Sequence, residues 1–119
     1  MTLNLWESLA CSRQKGIVPI VAEIKRVIPK LVNKLGRDER DAAHLARCYQ
    51  TGGASGISLV TERKHFGGQP EIDIPAVLHA TSLPLLIKDF ILAREQIDYY
   101  AKLVSAVNSA WHRRVTLLL

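Results

Sequence analysis

The sequence predicts an α/β fold built on a parallel sheet, because strand-like and helix-like segments alternate along its 119 residues. Four apolar segments have the length and composition of β-strands, and their starts follow one another at intervals of roughly 30 residues, the size of a βαβ unit. The intervals contain apolar residues at helical spacing, which indicates crossover helices and hence parallel neighbouring strands. The length of the chain suits one domain.

The four predicted strands are mostly apolar at both alternating positions, as expected when both faces of a parallel sheet are covered. Pro19 and Pro84 lie at strand starts, where a missing backbone N–H is tolerated. The predicted strands comprise residues 19–25, 56–61, 83–90 and 115–119.

Three helices are predicted between the strands, because apolar residues recur there at helical spacing. The "TGG" at 51–53 supplies a glycine stop for the first of them. Asp73 is the predicted N-cap of the second, with Pro75 in its first turn. Residues 2–10 are predicted to form a further short helix at one end of the sheet. The three apolar stripes are Ala42, Leu45, Ala46 and Tyr49; Ile74, Val77 and Leu78; and Ile97, Tyr100, Ala101 and Val104.

The charge and the cysteines narrow the class of protein. The 16 Lys and Arg residues exceed the 11 Asp and Glu residues and give a formal net charge of +5, which suits an acidic or phosphorylated ligand. No recognised nucleic-acid-binding motif accompanies that charge, so no nucleic-acid partner is expected. Cys11 and Cys48 stand far apart without a CxxC pattern, which predicts reduced thiols in a cytoplasmic protein.

The sequence has no pattern typical of a metal site, a signal peptide or a membrane span. Its histidines show no HxxxH or HExxH spacing, so neither a metal nor another cofactor is expected. The first residues lack a basic start followed by an apolar run, and no apolar stretch approaches the roughly 20 residues that span a bilayer. We therefore expect no membrane association.

Ionisable side chains interrupt two of the apolar strands near their carboxyl ends. In a parallel α/β sheet these ends lie at the same edge, where ligands bind. Glu23 and Lys25 share one face of the first strand because side chains alternate, and Lys88 ends the apolar part of the third. A partly buried carboxylate and ammonium must pair, and such pairs hold a proton ready for transfer. Glu23, Lys25 and Lys88 are therefore candidate catalytic residues.

A simpler explanation, that charges at strand ends are only solvated, applies to several neighbouring residues. It suits Glu23 and Lys25 less well, because the apolar residues Val27 and Ile28 follow them. The residues that this explanation covers are Arg26, Glu62, Arg63, Lys64 and Asp89.

Three segments of the chain resemble the indole-3-glycerol phosphate synthase family. They read "PIVAEIKR", "YQTGGASGISLVTERKHFGG" and "LPLLIKDFILAREQID", occur in the family's order and lie within residues 17–99. The resemblance implies a TIM (βα)8 barrel, of which this chain would supply the N-terminal half as a single partial domain. Residues 1–16 would then be an N-terminal extension, and residues 17–119 would carry the first four strands.

The resemblance also implies an activity and roles for single residues. The family is a carboxy-lyase of tryptophan biosynthesis, which converts 1-(2-carboxyphenylamino)-1-deoxyribulose 5-phosphate to indole-3-glycerol phosphate with loss of CO2 and water. Glu23 and Lys25 match its paired catalytic residues, and Lys88 matches the lysine of "KDF", a general acid in ring closure. Phe66 and Phe90 match aromatic positions that flank the anthranilate ring, with ordinary core or lid packing as the alternative.

The loop after the first strand departs from the family's pattern. It reads "KRVIPKLVNKLG" where the family has roughly "KRxSPSKG", so Ile28 replaces a serine that contacts the substrate phosphate. Lys30 is a candidate to compensate in part. Arg26 is a further candidate for contact with the substrate, because cations suit its carboxylate and phosphate. Before the fourth strand, "VNSAWHRRVTLLL" likewise lacks the family's Gly-Ala-Asp turn.

The length of the chain sets a further expectation, because a complete barrel needs about 250 residues. We expect a truncated chain whose last strand offers an unpaired backbone edge and an apolar face. Self-association or a complementary half barrel would cover that edge. A non-catalytic half-barrel interaction module is the alternative function, and a nucleic-acid-binding domain would rest on net charge alone.

Overall fold

The computed structural model describes residues 2–119, with the side chains of Ser109 and Trp111 omitted. Its four strands are β1 (Val21–Ile24), β2 (Gly56–Val60), β3 (Leu85–Lys88) and β4 (Val115–Leu117). They form one sheet with the order β1-β2-β3-β4, in which each pair of neighbours is parallel. The sheet is open, with β1 and β4 at its edges. The predicted α/β fold is thereby confirmed, and four parallel strands in this order are consistent with half of a TIM barrel.

The described residues also form five α-helices and two short 3-10 segments. The helices α3, α4 and α5 are the three predicted crossover helices, whereas α2 is a single turn within the loop after β1 that the sequence did not indicate. None of the helices in residues 2–119 has the length and apolarity that a membrane span requires. The helices are α1 (Leu5–Gln14), α2 (Val32–Leu35), α3 (Ala42–Thr51), α4 (Pro70–Ala80) and α5 (Arg94–Asn108), and the 3-10 segments are Pro29–Leu31 and Ser109–Arg114.

The strands are shorter than predicted. β1 and β3 each begin two residues late, after Pro19 and Pro84, because the regular ladder starts where β1 first pairs with β2 at Val21. β3 ends at Lys88 rather than at residue 90, and β4 ends two residues before the predicted limit. The charged ends of the predicted strands therefore lie in the loops that follow them, at the edge where ligands bind in such sheets.

The hydrophobic core lies between one face of the sheet and the helices. β2 and β3 each have a neighbouring strand on both sides, and all five residues of β2 are buried. Most of the predicted helix stripes face this core, but Ile97 and Ala101 of α5 stay exposed beside β4. The buried apolar residues of the helices are Ala42, Leu45, Ala46, Ile74, Val77, Leu78, Tyr100 and Val104.

The start of α4 differs from the prediction. The helix begins at Pro70, whose missing N–H costs nothing at the first helical position, and Gln69 rather than Asp73 precedes it. Asp73 lies within the helix, only 1% exposed, where its carboxylate binds the guanidinium of Arg26. A buried cation thus takes the carboxylate that the sequence pattern assigned to the helix end.

Helix α1 lies at the amino-terminal ends of the strands, opposite the edge that carries the charged residues. A capping box formed by Asn4 and Glu7 begins it, and it extends beyond the predicted limit at residue 10. Ser8 Oγ donates a hydrogen bond to the carbonyl of Ser55 at 2.5 Å, and the hydroxyl groups of Ser12 and Ser55 lie 2.6 Å apart. These bonds hold α1 against the start of β2.

Candidate active site

The carboxylate of Glu23 lies between two lysine ammonium groups at the carboxyl ends of β1 and β3. Lys25 Nζ lies 3.0 Å from Glu23 Oε1, and Lys88 Nζ lies 2.9 Å from Glu23 Oε2. From β2, Ser58 Oγ donates a further hydrogen bond to Oε2 at 3.0 Å. The structure thus brings together the three residues that the sequence suggested as catalytic.

The strand register explains why these side chains meet. Glu23 is the register partner of Ser58, and Lys88 is the partner of Val60, two residues further along β2. Because successive side chains alternate between the faces of a sheet, the side chains of Glu23, Lys25, Ser58 and Lys88 lie on the face away from the helices. The opposite face carries the apolar residues of the core, which are Ile24, Ile57, Leu59, Leu85 and Ile87.

The two lysines determine the charge state of Glu23. Partial burial acts to raise the pKa of the Glu23 carboxyl, but hydrogen bonds from Lys88, Lys25 and Ser58 outweigh it, so that the pKa falls below its ordinary value. All three charged side chains are about one-third exposed. An ionised carboxylate and two cations give the cluster a formal charge of +1, which favours an anionic ligand.

Aromatic rings line one side of the charged cluster. Lys25 Nζ lies 5.4 Å from the centre of the Phe66 ring, within the range of a cation–π contact. The centres of the Phe66 and Phe90 rings lie 6.4 Å apart, and His65 meets Phe90 edge to face. Phe66 and Phe90, together with Lys88, border a cavity of about 420 Å³ with largely apolar walls. Such a cavity suits a flat aromatic group beside the lysines.

A second cavity of about 520 Å³ lies on the other side of β1, between the loop after the strand and α3. It has Lys25 in common with the aromatic cavity and includes Ile28 and Arg37 of the loop. At its base Tyr49 Oη donates a hydrogen bond to the backbone carbonyl of Glu23 at 3.0 Å. The side chain and the carbonyl of Glu23 are therefore both held, from different directions.

The structure does not bring Arg26 into this cluster. Its guanidinium donates to Asp73 Oδ1 at 2.9 Å and to the carbonyls of Asp38 and Arg40, and the side chain is only 7% exposed. Arg26 follows Lys25 directly and so leaves the strand on the other side, towards α4. Both expectations for Arg26, a solvated side chain and a guanidinium available to the substrate, are therefore wrong. Arg26 joins the loop after β1 to α4.

Glu62 is also buried, contrary to the expectation that charges at the strand ends are solvated. Its carboxylate accepts hydrogen bonds from the backbone N–H groups of Lys64, His65 and Phe66. Sequence reasoning missed this role and that of Ser58. Ser58 can be recognised only once its register with Glu23 is known. For Glu62 the sequence offered a signal, because a glutamate that precedes a short segment ending in "GG" indicates a tight turn.

No candidate metal centre accompanies the cluster within residues 2–119, where no three His, Cys, Asp or Glu side chains come together. The ionisable groups that face the aromatic cavity are ammonium and carboxylate groups. Ammonium groups bind anions, and both kinds of group can transfer protons.

Comparison with known proteins gives a consistent family. The model of a family described as indole-3-glycerol phosphate synthase matches residues 1–107. A relative from Carboxydothermus hydrogenoformans, named indole-3-glycerol phosphate synthase, is 40% identical over 106 residues, which cover 89% of this chain and 39% of the relative. Relatives of the same name are 40% identical over 81 residues in Methanopyrus kandleri and 39% identical over 84 residues in Pyrococcus furiosus.

The matches cover only part of each relative. The aligned region amounts to 68% of this chain and 32% of the Methanopyrus kandleri protein, and to 71% of this chain and 36% of the Pyrococcus furiosus protein. The chain thus spans about a third of the length of the curated relatives that it matches. The matched region contains β1, β2 and β3, and with them every residue of the charged cluster.

Proposed function

Because this chain belongs to the indole-3-glycerol phosphate synthase family, we propose that its Glu23, Lys25 and Lys88 cluster takes part in the ring closure that gives indole-3-glycerol phosphate. The substrate would be 1-(2-carboxyphenylamino)-1-deoxyribulose 5-phosphate. The observation that carries this proposal is the pair of ammonium groups on one carboxylate beside an aromatic cavity.

The chemistry of the reaction fits these groups. The ring carbon that bears the carboxylate attacks the ketone carbon, and the ketone oxygen gains a proton. We assign that proton to Lys88, whose Nζ lies 2.9 Å from the carboxylate of Glu23. The carboxylate then leaves as CO2, so that the electrons of its carbon–carbon bond restore the aromatic ring. The new hydroxyl leaves as water with a neighbouring hydrogen.

The other residues have positions that suit binding rather than proton transfer. Phe66 and Phe90 would flank the anthranilate ring, and Lys25 would attract its carboxylate at the border of the same cavity. For Arg26 we propose a supporting role through Asp73 in place of direct contact with substrate. Ile28, at the position of the family's phosphate serine, offers no hydroxyl, so phosphate binding is expected to be weak.

The test is an assay of indole-3-glycerol phosphate formation. The chain would be assayed alone and mixed with the C-terminal part of the Carboxydothermus hydrogenoformans relative, beyond the region that this chain matches. We expect Lys88→Met to lower kcat by at least about a hundredfold with little change in KM, because general acid catalysis contributes about 10²–10⁴-fold. Lys102→Met, at an exposed position of α5, is the matched control. Equal kcat in both variants would remove Lys88 from the mechanism.

A second candidate function is a half-barrel interaction module without catalysis. The observation that favours it is the open sheet, in which β4 pairs with β3 alone and is followed by the exposed Leu118 and Leu119. We propose that this edge associates with a second copy or with a complementary half barrel. Association without product formation, even with the complementing part present, would favour the module over the enzyme.

We further propose that the protein works in the cytoplasm. Cys11 and Cys48 are both free thiols in the structure, in keeping with a reducing compartment. Fluorescence microscopy of the tagged chain in its own cells would test this location.

A further inference from the structure

The carboxylate of Glu62 lies at the centre of the turn between β2 and α4. Its Oε1 accepts the N–H of Lys64 at 2.9 Å, and its Oε2 accepts those of His65 and Phe66 at 2.8 and 3.0 Å. The ring nitrogen Nδ1 of His65 lies 3.2 Å from Oε1. A carboxylate that is only 9% exposed needs such partners, because burial without hydrogen bonds is costly. Burial acts to raise the pKa of Glu62, but the backbone hydrogen bonds outweigh it and lower the pKa.

The far end of the turn is hydrogen-bonded to the residue that begins it. Gly68 N–H donates to the backbone carbonyl of Glu62 at 2.8 Å, and a Cβ at Gly68 would lie 2.3 Å from the carbonyl of Thr61. Gly67 has a φ of 64°, which favours glycine. The turn is therefore held at its centre by the carboxylate of Glu62 and closed at its end by two glycines.

The turn presents the aromatic wall of the cavity. It holds the ring of Phe66 beside Lys25 Nζ and 6.4 Å from Phe90, and it directs His65 against the edge of Phe90. The carbonyl of Phe66 also accepts the N–H of Val27 at 3.1 Å, which links the turn to the loop after β1. The position of the aromatic wall therefore depends on the backbone path of residues 64–68.

We propose that Glu62 is a positioning residue, whose buried carboxylate sets the turn that holds Phe66 against Lys25. Its charge orders the N–H groups of three consecutive residues, and no other side chain of the turn does so among those that the structure describes. The proposal rests on the proposed function only for the identity of the ligand in the cavity. The turn and its contacts can be measured in the chain without any ligand.

The test is an NMR comparison of Glu62→Gln with Glu95→Gln, the same change at an exposed position of α5. Glutamine keeps one acceptor oxygen, but its amide NH2 is a donor and would face a backbone N–H group, so at least one of the three bonds is lost. We expect the amides of Lys64, His65 and Phe66 to exchange at least about tenfold faster than in the control, since a bond to a charged group is lost. Exchange at β2 should stay unchanged.

The NMR signals of the Lys25 side chain supply a second readout. They should not change if Glu62 only stabilises the fold. We expect the ring current of Phe66 to shift the signals of the Lys25 side chain upfield, and Phe66→Leu to give their position without that ring. We expect Glu62→Gln to move these signals most of the way to the Phe66→Leu position, while Glu95→Gln leaves them in place. Signals and exchange rates in Glu62→Gln that equal those of the control would overturn the proposal.

Two further measurements keep the outcomes distinct. If Glu62→Gln does not fold, Glu62→Asp decides, because the shorter carboxylate must give faster exchange at residues 64–66, and unchanged exchange would refute the role. Titration with anthranilate tests the ligand separately. A turn that loosens in a chain that never binds anthranilate supports the positioning role and contradicts the proposed function. A turn that stays ordered in Glu62→Gln while anthranilate binds refutes the positioning role alone.

Discussion

At the scale of single residues, the ionisation of Glu23 keeps two cations in place. Its carboxylate accepts hydrogen bonds from Lys25, Lys88 and Ser58, so its protonation or removal would leave two ammonium groups facing each other. Two neighbouring ammonium groups repel each other, so we expect both lysine side chains to turn towards solvent. The approach of both ammonium groups to this carboxylate therefore depends on the charge of Glu23.

We expect the free energy of unfolding to fall as the pH drops below about 4.5, the ordinary pKa of a glutamate carboxyl. The pKa of Glu23 is depressed in the folded chain, so below 4.5 the unfolded chain binds more protons. This contribution is fully present above the unfolded pKa and is lost as the pH falls through the folded one. Hydrogen bonds from Arg40 and Arg63 lower the pKa of Asp38 and of Glu71, each to about 2, and extend the loss.

Urea denaturation at pH 7, 4 and 3 measures this dependence. Glu23→Gln should be less stable than the unsubstituted chain at pH 7 and should lose less stability between pH 4 and 3. Glu95→Gln, at an exposed site, should retain the full dependence. An unaltered slope in Glu23→Gln would show that the carboxylate is not coupled to folding.

At the scale of elements, the loop after β1 is held by one buried ion pair. Arg26 and Asp73 join the start of this loop to α4, and the guanidinium also binds the carbonyls of Asp38 and Arg40 at the loop's far end. Asp38 N–H donates to the carbonyl of Arg26 at 2.7 Å, so the loop closes on itself over a dozen residues. Lys25 lies directly before this junction.

We expect Arg26→Met to destabilise the chain by about 3–5 kcal/mol, because it leaves the carboxylate of Asp73 buried and unpaired. The double substitution Arg26→Met with Asp73→Leu should cost less than the sum of the two single changes. Arg40→Met removes a partner from an exposed pair with Asp38 and should cost about 1 kcal/mol or less. Chemical denaturation measures all four variants, and equal losses in Arg26→Met and Arg40→Met would contradict the role of burial.

The sequence predicted the elements better than the connections between them. Alternating apolar segments determine the strands and helices, and the alternation of side chains placed Glu23 and Lys25 on one face. The partners of Arg26 and Glu62 were not predictable in the same way, because they depend on the path of loops after the strands end. Asp73 was misassigned for this reason, since a buried cation distant in sequence binds it.

At the scale of the whole molecule, the sheet has two unequal edges. At β4 the backbone is followed by exposed apolar side chains, with Leu118 45% and Leu119 85% exposed. At β1, the carbonyl of Glu23 accepts a hydrogen bond from Tyr49 Oη. Backbone groups at an unpaired edge readily accept a further strand. Association is therefore expected at β4 before β1.

We expect the chain to self-associate with increasing concentration, and we expect Leu118→Lys with Leu119→Lys to weaken that association at least about tenfold, because charges on an edge oppose strand pairing. Trp6→Lys changes an equally exposed apolar residue of α1, at the opposite end of the strands, and is the control. Sedimentation velocity over a concentration series measures the effect. Equal association in the edge variant and the control would exclude β4 as the contact.

The bond from Tyr49 to Glu23 gives the β1 edge a further property. The carbonyl of Ile20 accepts the N–H of Ser55, the residue before β2. Strand alternation therefore directs the carbonyl of Glu23 outward, to where a newly added strand would hydrogen-bond. A strand that pairs there competes with the tyrosine for an acceptor on the residue whose carboxylate holds both lysines. A strand added on that side would therefore displace the phenol of Tyr49 from the residue that binds both lysines.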